Sequence, residues 1–235
     1  MTFVVSKISI ALFVLTNLHI VMKLKNLPWI PFAFFAIAIG LYPLTYYLVD
    51  MHNKGLFSSK PKELIDNRIW YTAFYIHITF GGIAMLTGWT QFSKRLRDKY
   101  LNTHRLIGKI YVISVLFSSC AGLFIAFFAT GGIISVMGFG SLALLWLITV
   151  VKAYTSIRRL DINEHEKWII RNYALTFAAV TLRVYLPLLI KFGFNGDFIP
   201  AYHLVSWLCW VPNIIVAELI ISKLEQKPAY ATKPV

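Results

Sequence analysis

The stretch IISVMGFGSLALLWLITVV, residues 133–151, decides the architecture. It carries no charged side chain, and beside the indole of Trp146 its polar side chains are the hydroxyls of Ser135, Ser141 and Thr149. Coiled as an α-helix rising about 1.5 Å per residue, it comes close to the roughly 30 Å of a bilayer's hydrocarbon core. A helix apolar on every side buries against lipid, not water. Thr130-Gly131-Gly132 before it suits a helix reversal, and Lys152 ends it at an interface.

Working outward, six further runs meet the same length requirement: Phe3 to Met22, Trp29 to Val49, Ile69 to Thr90, Leu106 to Ala129, Trp168 to Ile190 and Ile199 to Ile221. The chain of 235 residues is 58% hydrophobic and only 14% charged, too few polar residues to coat a soluble domain. These runs predict an all-α polytopic membrane bundle of about seven transmembrane helices, one domain over residues 1–235 with a short tail from 223 to 235. The first run resembles a signal peptide, with Lys7 ahead of its apolar stretch. Thr16-Asn17-Leu18-His19 offers no small-residue cleavage site, and it reads as an uncleaved span.

The net charge of +13 would point to nucleic acid in a soluble protein, but here the lysines and arginines sit in short links between spans. No basic helix stands free of the membrane, so the expected partner is anionic lipid and not nucleic acid. Alternate links carry sixteen basic residues on one side and six on the other, with Arg183 inside a span. That imbalance predicts an external N-terminus and a cytoplasmic C-terminus. Cys120 and Cys209 lie in apolar runs without a CxxC, so they read as packing residues.

Polar groups inside spans must face other helices or a hydrated space. His77, Gly81, Ala84 and Gly88 share one face of the third span. Asn172, Thr176, Ala179 and Arg183 share one face of the sixth; Tyr111, Ser114, Ser118 and Gly122 share one of the fourth. Small residues pack helices closely, which accounts for the glycines but not for His77. Arg183 cannot shed its charge, and at mid-span it costs roughly 2.5–3.5 kcal/mol on insertion scales unless an anion, carbonyls or water meet it. His77 and Arg183 fall at a common depth, roughly 12–14 Å from the outer ends of their helices. His77, Arg183, Asn172, Thr176 and Tyr111 are therefore the candidate ligand-binding residues.

On the other side, His104 and His165 fall in the first turns of two helices, with Arg97, Arg105 and Arg171 close in sequence. Helix N-termini attract anions, so this group reads as a cytoplasmic entrance or as a set of lipid anchors. Thr103 or Asn102 is the expected cap of the fourth span, and Asn163 with Glu166 the capping box of the sixth. Links far apart in sequence supply no metal-ligand spacing, and no metal site is assigned.

The run from His77 through Gly88, Gln91-Phe92, Arg97, His104-Arg105, Gly108, Tyr111, Leu145-Trp146, Ala153-Tyr154, His165, Trp168, Arg171, Tyr173 to Thr176 and Arg183 resembles the DUF2306 family of uncharacterised bacterial membrane proteins, over about residues 75–187. Glu166 and Ile169 depart from the family's more usual Arg and Met. The resemblance implies a multi-pass protein of the bacterial cytoplasmic membrane and supplies no activity.

Three functions fit these residues. One is binding or transport of a proton, small anion or lipid-like ligand at the His/Arg site. Another is a redox protein holding b-type haem or a quinone, with His77 as axial ligand and arginines for the propionates. No helix carries the paired histidines common in multi-haem cytochromes, and His203 sits close to the outer face. The last is a structural or assembly role in which the polar seam fixes helix register. No GxSxG or HExxH appears in the chain. The orientation has a direct check: alkaline phosphatase fused to the C-terminus is expected to be inactive, and a live fusion would reverse the threading.

Overall fold

The computed structural model describes residues 29–49 and 57–226, whose regular elements are all helical, without a strand. Six described helices are long and apolar enough to cross a membrane: α1 (Trp29–Leu48), α2 (Arg68–Phe92), α3 (Leu101–Ala126), α4 (Ile133–Arg158), α5 (Ile162–Gly193) and α6 (Phe198–Glu225). They correspond one for one to the second through seventh runs read from the sequence; the first, Phe3 to Met22, lies outside the described residues. α2 packs along α3, α3 along α4 and α4 along α5, while α1 lies against α2 and α6 against α4 and α5. Contacts of α5 with both α1 and α2 close the ring.

Close approach is set by glycine. A Cβ on Gly82 of α2 would stand 2.6 Å from the Gly40 carbonyl of α1, and one on Gly40 would stand 2.7 Å from Leu86. Without lipid-driven collapse, such backbone contact is what holds membrane helices together. The reversal between α3 and α4 uses positive φ at Gly131 (91°) and Gly132 (74°), where side chains are strained. His203 of α6 ties itself to this turn, its Nε2–H donating to the Gly131 carbonyl at 2.6 Å.

Two expected caps differ. Asp161, not Asn163, opens α5 by accepting from the Glu164 amide at 3.0 Å; it stands two residues earlier, which leaves Asn163 inside the helix. α3 begins at Leu101, one residue after a short helix (Lys94–Lys99), so Asn102 and Thr103 are also internal and Tyr100 takes the cap position without a side-chain bond. Proline interrupts two helices. Pro43 accompanies a 3₁₀ turn over Tyr42–Leu44 in α1, and Pro187 precedes a π turn over Leu189–Gly193 in α5.

At one end of the bundle, Phe57 is pinned by Phe74 (4.9 Å between ring centres), Tyr46 (5.6 Å) and Trp70 (6.0 Å). This aromatic cluster draws the segment after Phe57 down onto α1 and α2. The same end carries the α3–α4 turn; the opposite end carries the basic segment Lys94–Lys99.

Gly82→Val is expected to force α1 from α2 and to cost about 1–3 kcal/mol, read as a lower thermal midpoint in detergent. Gly140→Ala, whose new methyl meets nothing within 4 Å, is the control and should leave the midpoint unchanged or raised.

Candidate functional site

The polar seam resolves into two parts. The first is a closed network. The Tyr111 hydroxyl donates to Asn172 Oδ1 at 2.5 Å and lies 3.0 Å from Thr176 Oγ1. Asn172 Nδ2 donates to the Trp146 carbonyl (2.9 Å) and to Thr149 Oγ1 (2.8 Å), and Trp146 Nε1–H donates to Thr176 Oγ1 (2.9 Å). Thr176 returns a bond to the Asn172 carbonyl at 3.0 Å. Tyr111 and Asn172 are 1% and 0% exposed, so the network buries its own polarity and clamps α3, α4 and α5 together.

The second part is a cavity of about 520 Å³ lined by residues of all six described helices. Its wall includes His77, Gly81, Gly122, Trp146, Thr176 and Arg183, but neither Tyr111 nor Asn172. Of the face that begins at His77, only Gly81 reaches this space. Ala84 is fully buried in helix packing, and a Cβ on Gly88 would strike the rings of Tyr173 and Tyr111. The sequence grouped these residues correctly, but a helical face is long enough to serve packing at one end and a cavity at the other.

His77 is held across α2 and α3. Its Nδ1–H donates to the Ser118 carbonyl at 2.9 Å, and Ser118 Oγ returns a bond to the His77 carbonyl at 2.7 Å. Gly122 makes room for the ring, since a Cβ there would lie 2.8 Å from Nδ1. With the proton on Nδ1, Nε2 keeps its lone pair and has no protein partner among the described residues.

Arg183 donates through Nη1 to the Ala179 carbonyl at 2.9 Å, one turn back on its own helix. Its guanidinium stacks on Tyr42, 4.6 Å from the ring centre. Among the described residues no carboxylate pairs with it, and no Asp or Glu lines the cavity.

Two wall residues escaped the sequence reading. Lys60, carried in the segment after Phe57, lines the cavity and donates from Nζ to the Phe128 carbonyl. Burial strips water from its ammonium and lowers its pKa to about 8, so it is mostly cationic at pH 7 and loses charge as the pH rises through about 8. Trp70 also lines the cavity, is 2% exposed, and its indole N–H finds no acceptor among the described residues. In sequence Lys60 is one lysine of a loop and Trp70 one aromatic at a helix start; neither carries a periodic signal.

The residues of the expected cytoplasmic entrance gather at the opposite end and do not line the cavity. Arg171 forms a two-point pair with Glu218 (2.6 and 2.8 Å) and stacks on Trp168 at 4.6 Å. Arg97 reaches Glu166 at 3.6 Å, and Lys167 reaches Glu164 and Glu225 at 3.0 and 2.6 Å. His165 Nδ1–H donates to the Ala153 carbonyl at 2.8 Å, tying α5 to α4. His104 Nδ1 is buried without a described partner, and Arg105 stands near the start of α3. Sequence reasoning missed the Glu218 and Glu225 pairings because they bridge 47 and 58 positions.

A bundle of lipid-length helices around an internal, cation-bearing cavity defines a multi-pass membrane protein. The model of a family described as a predicted membrane protein, DUF2306, matches residues 74–221, and the chain belongs to that family. No curated protein and no solved structure matches it.

The shifted ammonium can be observed directly. After reductive ¹³C-methylation, the lysine resonance absent from Lys60→Arg is expected to titrate near pH 8. A Lys60 signal that titrates at the roughly 10.4 of a free lysine would remove the burial argument.

Proposed function

We propose that this protein binds an anionic or lipid-like ligand in the cavity of His77 and Arg183, and moves it or its proton across a bacterial cytoplasmic membrane. One observation carries the reading: Arg183 stands on the cavity wall with no carboxylate partner among the described residues. A guanidinium within a span needs counter-charge or water. The carbonyl of Ala179 and the ring of Tyr42 satisfy part of it, and the rest of its donor fork is left for a ligand. The lining residues reach one bundle end at Lys60, Ala129 and Pro187, and end inside at Trp146 and Leu175. The ligand therefore enters from the Lys60 end, and the buried Tyr111–Asn172 network separates the space from the His104–His165 end.

A redox reading has its own support. His77 with Nδ1–H bound to a carbonyl and Nε2 bare is in the tautomer of an iron ligand, and cations on the same wall suit propionates. The described wall holds no second histidine, so haem would be bound through one imidazole. A quinone would need no second histidine.

Absorption spectroscopy and native mass spectrometry of protein purified in mild non-ionic detergent separate these readings. The expected result is a copurifying anionic species without a Soret band, lost in Arg183→Gln. A Soret band lost in His77→Ala would establish the haem reading instead. Retention of the same anion by Arg183→Gln would sink the arginine's assigned role.

A further inference from the structure

The walls of the cavity narrow the chemistry of its occupant, and this step rests on the anion-site reading above. A volume of about 520 Å³ is many times what one water molecule needs. A small inorganic anion would occupy a minor part of it and leave the remainder to be filled with water. That remainder is poorly suited to water: beyond its few polar groups, the wall is built from side chains such as Ile78, Ile125, Phe139, Leu142 and Leu182. A proton relay is equally poorly served, because relays through membranes are built from chains of carboxylates and histidines, and here only His77 qualifies.

The charged groups that face this space are both cations, set beside the bare Nε2 of His77 and hydroxyls such as those of Tyr42 and Thr176. Arg183 brings the unspent part of its guanidinium, Lys60 its ammonium, and Trp70 an indole N–H without a described acceptor. Three donor groups, two of them cationic, with no acidic side chain beside them, select an acceptor-rich anionic group. A hydrocarbon wall around them selects an apolar body attached to that group.

We propose that the cavity takes a single-tailed amphipathic acid, its anionic head held by Arg183 and Lys60 and its hydrocarbon tail packed on the apolar wall. One tail is the least that the wall requires: a single hydrocarbon chain covers the apolar lining while the head stays on Arg183 and Lys60.

Equilibrium binding of radiolabelled palmitate to the full-length protein in nanodiscs of neutral phosphatidylcholine tests this, with empty discs as the partition control. The expected result is one saturable site, about tenfold or more tighter than for hexadecanol, and weakened about tenfold or more by Arg183→Gln. Arg183→Lys, which keeps the charge but not the fork, should bind more tightly than Arg183→Gln, and Lys60→Gln should weaken binding severalfold. Millimolar inorganic phosphate should leave palmitate in place.

Hexadecanol binding as tightly as palmitate would overturn the proposal, because the acid group would then go unrecognised. Phosphate binding with displacement of palmitate would overturn the amphiphile while leaving the anion site intact. Binding of neither would remove the anion site as well. Tail placement has a separate readout that survives any instability of the arginine variants. Palmitate carrying a photoreactive diazirine at its tail end is expected to crosslink to the apolar wall around Ile125, Phe139 and Leu142, mapped by peptide mass spectrometry. Labelling confined to residues outside that wall would place the tail elsewhere and overturn the proposal.

Discussion

Hydrocarbon offers no hydrogen bonds, and that constraint organises everything else in this protein. Each polar group carried into a span must find its partner within the bundle or around a space the bundle encloses. Tyr111, Asn172, Thr176 and Trp146 find theirs in one another, and by doing so fix α3, α4 and α5 at one register. Sliding any of these helices by a residue would leave several buried donors and acceptors open at once, each costing about 1–3 kcal/mol. His77 and Ser118 lock α2 to α3 by the same logic, each giving a hydrogen bond to the other's backbone.

Once those networks are closed, what is left over is informative. The bare Nε2 of His77, most of the Arg183 fork and the indole N–H of Trp70 are not solved within the described protein. All three side chains line one cavity. The opposite end of the bundle shows the contrast, since Arg97, Lys167 and Arg171 each meet a glutamate there. The chain has acidic residues to spend on its arginines, and spends them at the interface and not on Arg183. Interfacial pairs of this kind contribute little energy individually. The two-point bond of Arg171 with Glu218 nevertheless orients α6 against α5.

The fold was legible because length and polarity are local properties. Residues 133–151 announce a span without reference to the rest of the chain, and the other described spans do the same. The candidate site was legible in part. Counting along helices put His77 and Arg183 at one depth, and they do share a wall. The same counting placed Asn172 and Tyr111 with them, because periodicity reports which face a residue occupies and not which neighbour covers it. Lys60 could not be found in this way. Its position depends on Phe57 being captured by Phe74, Tyr46 and Trp70, contacts between segments whose approach no spacing encodes. Glu218 was passed over for a related reason: a single acid near the end of the last span has many basic residues within reach on paper.

That a cavity persists at all requires explanation, since helices in lipid gain by packing closely. The sequence holds the space open at its edges. Gly81 and Gly122 thin the wall beside His77, where a methyl on Gly122 would press on the imidazole. Pro187 denies α5 one internal hydrogen bond, and the helix widens into the π turn of Leu189–Gly193 instead of continuing straight past the mouth. π turns recur at functional sites because they displace the following residues by one position around the axis. The closed Tyr111–Asn172 network then acts as a floor: it fixes α3, α4 and α5 below the space, so that collapse above it would have to break bonds that have no water to replace them.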